Sequence, residues 1–112
     1  MASTFKNQGA TLSAGAETDF YTAPGGTYSV IHALYITNKS TTNTAKVNVK
    51  VTTDGGSTFY HVANHIEIGT NNTLTMDKPI NLEPGDILRL VAVPNPDSSA
   101  TDLEAYASIL EV

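Results

Sequence analysis

The sequence contains no cysteine, no tryptophan and few charged residues. Without cysteine there is no disulfide, no thiolate metal ligand and no thiol nucleophile. Charged residues make up 15% of the 112 residues, whereas an average soluble protein has roughly 25%. Because long surface helices usually owe their solubility to Glu and Lys, this scarcity disfavours a helical protein and favours a β protein.

Basic residues are especially scarce, with six Lys and Arg against eleven Asp and Glu and a net charge of −5. They are scattered along the chain and form no basic stripe, so direct nucleic-acid binding is not expected. The N-terminus shows no charged segment leading into an apolar run, and no apolar run approaches the ~20 residues of a membrane span. We therefore expect no secretion signal and no membrane contact. The protein is expected to stay in the cytoplasm or to leave it by a route that needs no signal, such as cell lysis.

What the sequence does contain is an alternation of apolar and polar residues with a period close to two. Residues 45–52 place Ala or Val at every odd position and Lys, Asn or Thr at every even one, which predicts a strand with one core face and one wet face. In residues 28–37 both faces are fairly apolar, which predicts a central strand covered on both sides or facing an interface. Further strands are predicted at residues 18–22, 58–68 (interrupted near Asn64), 73–77, 87–93 and 103–112.

Turn residues separate these strands. The polar run at residues 38–43 predicts a hairpin, and Asp-Gly-Gly-Ser at residues 54–57 predicts a second, since its glycines supply positive φ. Pro-Gly at residues 84–85 fits the two central positions of a type II turn. The spacing predicts one all-β domain, an antiparallel, jelly-roll-like β-sandwich of seven to eight strands. Residues 17–112 would form the sandwich, and residues 1–16 an N-terminal arm or edge strand.

No arrangement typical of catalysis is visible. The acidic residues are dispersed, and neither a nucleophile elbow nor a phosphate-binding glycine loop occurs. His61 and His65 are too few to hold zinc without further ligands, and the acids near Asn95 and Asp97 lack the spacing of a calcium loop. We expect no catalytic residue, no metal and no cofactor.

Large aromatic residues exceed what so small a sandwich can bury. Tyr35, Tyr60 and Tyr106 lie on predicted strands whose opposite faces are also apolar, which predicts an oligomer or a partner surface. Termini and loops are the other places where recognition residues concentrate. The expected partner-binding residues are therefore Phe5, Lys6, Tyr35, Tyr60, Tyr106, Asn95 and Asp97.

Most of the chain resembles the small structural proteins of tailed-phage virions. The resemblance is carried by residues 1–7 (MASTFKN), 21–24 (YTAP), 31–38 (IHALYITN), 77–88 (DKPINLEPGDIL) and 103–111 (LEAYASILE). It implies a capsid decoration (cement) protein, or a neck, tail or baseplate component, assembled in the host cytoplasm and located in the virion. The implied partners are other virion proteins, the major capsid protein first, and further copies of the chain, with a trimer favoured.

Functions of other classes remain open beside these two. A carbohydrate-binding module would use exposed Tyr and Asn side chains, and an enzyme is the least favoured alternative. The turn around residues 82–88 also recurs in trimeric jelly rolls and cupin-like sandwiches, so it indicates the fold more than the function.

Overall fold

The computed structural model describes residues 3–13, 15–93 and 102–112 of the protein. These residues form nine strands: β1 (Thr4–Thr11), β2 (Glu17–Thr22), β3 (Ser29–Asn38), β4 (Ala45–Thr52), β5 (Phe59–Ile68), β6 (Thr73–Met76), β7 (Ile80–Leu82), β8 (Ile87–Val93) and β9 (Leu103–Glu111). The all-β prediction is confirmed. The predicted number of strands was too low, because the three residues of β7 are too few to show a period. Within the described ranges no helix has the length and apolarity to cross a membrane.

The strands form two sheets. Sheet A has the order β1-β9-β3-β6, with β7 also paired to β3, and sheet B has the order β2-β8-β4-β5. Every pairing is antiparallel. The first strand lies beside the last and the second beside the last but one, which is the winding of a jelly roll. The predicted jelly-roll-like sandwich is confirmed.

The core lies between the sheets and consists of aliphatic side chains. Leu34 of β3, Val49 of β4 and Leu90 of β8 are fully buried, and each contributes roughly 1.5–3 kcal/mol by leaving water. Leu12, which directly follows β1, is fully buried as well. This leucine anchors the C-terminal end of β1, while the rest of the strand is largely exposed.

Two predicted turns are confirmed. Gly55 and Gly56 both have positive φ and join β4 to β5 in a hairpin. The Asp54 carboxylate accepts hydrogen bonds from the Thr52 hydroxyl and from the Thr58 N–H, which lower its pKa to about 2. In the Pro-Gly turn at residues 84–85, the Asp86 N–H donates to the carbonyl of Glu83 at 2.9 Å and Gly85 has φ 87°, as a type II turn requires.

The hairpin predicted at residues 38–43 is wrong. β3 belongs to sheet A and β4 to sheet B, so this segment crosses between the sheets. Asn38 is fully buried there, and its amide donates to the carbonyls of Asn43 (2.8 Å) and Ile68 (3.1 Å). Its Oδ1 accepts the Ser40 N–H at 3.0 Å. The polar side chains supply the hydrogen bonds that the backbone of this buried connection needs. Turn residues alone do not determine which sheet the next strand joins.

Bulges interrupt the simple alternation. His32 is an extra residue between the paired positions Ile31 and Ala33, and its side chain is exposed. β5 has two register shifts, one of which falls at Asn64 and His65, where the interruption was predicted. His65 has φ 51°, and its N–H donates to the buried Asn48 side chain at 2.6 Å. The alternation predicted that Asn48 would lie on a solvent-exposed face, but its side chain is buried.

Candidate interaction surfaces

The outer face of sheet A carries a row of small and aromatic residues. Tyr35 of β3, Tyr106 of β9 and Gly9 of β1 are in register across three strands. The two tyrosine rings lie 6.5 Å apart between centroids and are tilted by 32°. Their side chains are 39% and 47% exposed. We call this surface, with Gly9, Thr11 and Thr37 beside the rings, the tyrosine face.

A shallow depression of about 630 Å³ lies on the tyrosine face. Gly9 has no side chain, so the ring of Tyr106 forms one wall of the depression. Lys39 and Glu104 close one rim and form an ion pair of 3.1 Å. The depression offers flat aromatic surface and a polar rim, which suits an apolar side chain or a sugar ring.

The N-terminal strand lies beside this face. Phe5 is 80% exposed, and all of β1 except the half-buried Ala10 is exposed. Lys6 forms an ion pair of 3.5 Å with Glu111. β1 pairs with β9 over eight consecutive residues and forms one edge of sheet A. The side of β1 that faces away from β9 has no neighbouring strand among the described residues.

A second apolar surface lies on β5 at an edge of sheet B. Tyr60 and Ile66 are paired with Val51 and Val47, so they face the same side as the core residues of β4. They extend beyond the cover of the opposite sheet, and Tyr60 is 57% exposed. Val62 lines a cleft of about 340 Å³ between β5 and the β6–β7 edge, together with Met76, Pro79 and Ile80. We call Tyr60, Val62 and Ile66 the β5 ridge.

The outer face of sheet B is ionic instead. Arg89 of β8 contacts Asp19 (Nε to Oδ1, 2.7 Å) and Glu17 (3.3 Å), and Lys50 contacts Glu17 at 3.4 Å. The guanidinium also lies 3.9 Å from the ring centroid of Phe59. The hydrogen bond with Asp19 raises the pKa of Arg89 further. These contacts satisfy the charges within the chain.

One buried polar cluster links the two sheets. The Tyr21 hydroxyl of β2 donates to the Glu111 carboxylate of β9 and lies 2.8 Å from the hydroxyl of Ser29 of β3. Burial, and then the hydrogen bond to Glu111, raise the pKa of Tyr21 to about 12. A tyrosine that holds its proton so firmly is a structural donor at neutral pH.

The structure distributes the predicted partner-binding residues over several places. Phe5, Tyr35 and Tyr106 share the outer side of sheet A, Tyr60 lies on sheet B, and Lys6 is held beside Glu111. Asn95 and Asp97 lie outside the described residues. No cluster of three or more His, Asp or Glu that could hold a metal occurs in the described ranges.

Sequence reasoning missed Gly9, Val62 and Ile66. Gly9 had a usable signal, since a glycine within a strand often marks a close approach. Val62 and Ile66 had none, because only the opposite sheet decides whether an apolar strand residue is covered.

No protein-family model matches the sequence, and no curated protein matches it. Two similar solved structures are each described as a pentameric capsid protein from metagenomic phage sequences. One has 15% identity and a TM-score of 0.46, and the match covers 96% of this chain and 59% of that one. The other has 16% identity and a TM-score of 0.43, with 96% and 60% covered. The chain thus spans about six tenths of the length of both proteins.

Proposed function

We propose that this protein is a non-enzymatic structural component of a phage virion, most specifically a decoration protein that binds the outside of the capsid shell as an oligomer. The observation that carries the proposal is the exposure of large aromatic side chains on both sheets. Phe5, Tyr35, Tyr60 and Tyr106 are all substantially exposed on strands. Exposed aromatic side chains on the strands of a small domain are typical of protein interfaces.

Two separate surfaces support contacts with more than one neighbour. The tyrosine face lies on sheet A and the β5 ridge on sheet B, so one can contact further copies while the other contacts the shell. The major capsid protein is the proposed partner on the shell, and a trimer is the proposed oligomer. The buried side chains support a structural rather than an enzymatic role, because every buried side-chain N and O atom of the described residues has a hydrogen-bond partner. The cluster around Tyr21 is thus saturated within the fold.

The test is to locate and count the protein in purified particles. We expect it to sediment with intact particles in hundreds of copies, as a shell-covering protein must. A dozen copies or fewer would instead assign it to the neck, tail or baseplate, which is the alternative within the same class. Recovery only as free protein, from a lysate that contains intact particles, would contradict a virion role altogether.

A carbohydrate-binding role is the second candidate, and the depression of the tyrosine face favours it. Two neighbouring exposed rings with a polar rim of Thr37, Lys39 and Glu104 form the type of surface on which sugar rings stack. A glycan array tests it with the wild type and with Tyr106→Ala. Binding that Tyr106→Ala abolishes would support this function, and an array without hits would discard it.

A further inference from the structure

We propose that β1 is a self-pairing strand, which joins the β1 strand of a second copy of this chain in an antiparallel continuation of sheet A across a two-fold axis at Gln8. The pairing concerns self-association only. It can therefore be right or wrong independently of the proposed attachment to a virion.

The sheet edges formed by the described strands differ in length and regularity. β2 has a register shift between Asp19 and Tyr21, β5 has two shifts, and β6 and β7 are four and three residues long. β1 alone among these edge strands is both long and regular, with eight consecutive pairs and no shift. Proteins interrupt or shorten the edges that must stay unpaired, since a long regular edge is a template for another strand.

The backbone groups of β1 point alternately toward β9 and toward the open edge. The Leu12 N–H donates to the Leu103 carbonyl at 2.9 Å. In an antiparallel ladder such hydrogen-bonded pairs recur at every second residue. The even-numbered residues of β1 therefore direct their N–H and C=O groups toward β9. The odd-numbered residues direct theirs toward the open edge, and these are Phe5, Asn7, Gly9 and Thr11.

This open edge is self-complementary. One antiparallel register uses all four outward residues: Phe5 pairs with Thr11 of the second copy, and Asn7 pairs with Gly9. Gln8 then faces Gln8 on the axis. Lys6 faces Ala10, so the two Lys6 charges are about 14 Å apart along the strands. That separation exceeds the ~8 Å Debye length at physiological ionic strength, so their repulsion is largely screened.

The same register brings a protruding side chain to a depression. Phe5 lies on the outer side of sheet A and is 80% exposed. Opposite Thr11 of the second copy, it is a diagonal neighbour of Gly9, at the roughly 7–8 Å that an aromatic side chain can reach. Gly9, Thr11 and Tyr106 line the depression of the tyrosine face. Each copy would therefore cover the depression of the other with its Phe5 ring.

Single cysteines test the register directly, because the chain has none of its own. Gln8→Cys places two thiols on the axis, in a pair without mutual backbone hydrogen bonds, with Cα atoms about 4.5 Å apart. This distance permits a disulfide. Thr4→Cys is the matched control on the same strand and the same side, with its two copies about 27 Å apart. We expect mild oxidation to convert most of Gln8→Cys into a covalent dimer and Thr4→Cys into little.

A proline variant tests the edge without touching the pairing with β9. Asn7→Pro removes an N–H that faces the open edge, which an edge strand tolerates. We expect it to keep the circular dichroism spectrum of the wild type and to raise the dissociation constant of self-association at least about tenfold. Sedimentation velocity over a concentration series measures it, and the wild type should form dimers, or hexamers where two of the proposed trimers pair through β1.

Three results would overturn the pairing. They are a Gln8→Cys chain that cross-links no more than Thr4→Cys, a folded Asn7→Pro chain that associates like the wild type, and a wild type that stays monomeric at every concentration. Particle binding is measured separately by co-sedimentation. A wild type that self-associates through β1 but does not co-sediment with particles would instead count against the proposed function alone.

Discussion

The outer faces of the two sheets differ in whether their side chains are satisfied within the chain. On sheet B, Arg89 contacts Asp19, Glu17 and the Phe59 ring. The charged groups and the aromatic ring of this face therefore already have partners within the chain. On sheet A, Tyr35 and Tyr106 lie beside each other, and each remains partly exposed to solvent. A face whose groups are paired internally contributes to the stability of the fold. A face with apolar surface left over is available to a neighbour, and changes to the two faces should therefore have different consequences.

The largest expected effect concerns the cluster that holds the two sheets together. Because folding raises the pKa of Tyr21 from about 10 to about 12, the fold favours its protonated form. This contribution is complete below about pH 10 and is lost as the pH rises to about 12, which amounts to roughly 3 kcal/mol. Tyr21→Phe cannot titrate and leaves Glu111 without its hydroxyl donor, which costs about 1–3 kcal/mol at neutral pH.

Urea unfolding of the wild type and of Tyr21→Phe at several pH values measures this effect. The wild type should be the more stable protein at pH ~8, and the difference should shrink above pH ~10. A difference in unfolding free energy that stays constant up to pH ~12 would show that Tyr21 does not titrate as described.

The next effect separates binding from folding on the tyrosine face. In the double variant Tyr35→Ser and Tyr106→Ser, we expect the affinity for the neighbour bound at this face, either the capsid shell or a further copy of the chain, to fall about a hundredfold. This is equivalent to about 2.7 kcal/mol. Unfolding free energy should fall by less, about 1–2 kcal/mol, because both rings are already partly in water. Co-sedimentation with particles and sedimentation velocity measure the binding. Unchanged binding in both assays would show that this face is not an interface.

A smaller effect is expected on β5, where neighbouring residues face opposite sides. Tyr60 is paired with Val51 and belongs to the β5 ridge, whereas His61 is paired with Lys50 on the ionic face. We expect Tyr60→Ser to weaken particle binding about tenfold, as truncation of an interface aromatic does. His61→Ser is the matched control and should bind normally. Equal losses in the two variants would contradict the assignment of the ridge.

The smallest effect is expected on the ionic face itself. Arg89→Ala removes the ion pairs with Asp19 and Glu17 and uncovers Phe59, all at partly exposed positions. We expect unfolding free energy to fall by about 1 kcal/mol, and by less in high salt. Particle binding should stay within twofold of the wild type, roughly 0.4 kcal/mol. A large loss of binding would mean that the ionic face also contacts a partner.

The accuracy of sequence reasoning differed between neighbouring segments. The Asp-Gly-Gly turn and the Pro-Gly turn were predicted correctly, because their glycines meet a local requirement for positive φ. The segment after Asn38 was predicted as a hairpin by similar signals but crosses to the other sheet. Its turn residues describe a change of direction, and the identity of the next partner strand depends on contacts distant in sequence.

The interaction surfaces show the same division. The excess of tyrosines predicted an interface, and the structure places Tyr35 and Tyr106 side by side on one face. That Phe5 lies on the same side as these rings, while Tyr60 lies on the other sheet, follows from strand order and could not be read from spacing. The bulge at His32 also changes which residues of β3 face outward, and the sequence carries no signal for it.

By itself the sequence determined an all-β chain with a period of two, tight turns where glycine permits them, and more apolar surface than one small sandwich covers. These properties depend on residues near one another along the chain. Only the tertiary structure decided the jelly-roll order of the strands, the regular open edge of β1 and the separation of an ionic from an aromatic face. These depend on which strands become neighbours, and burial and pairing between distant segments determine that.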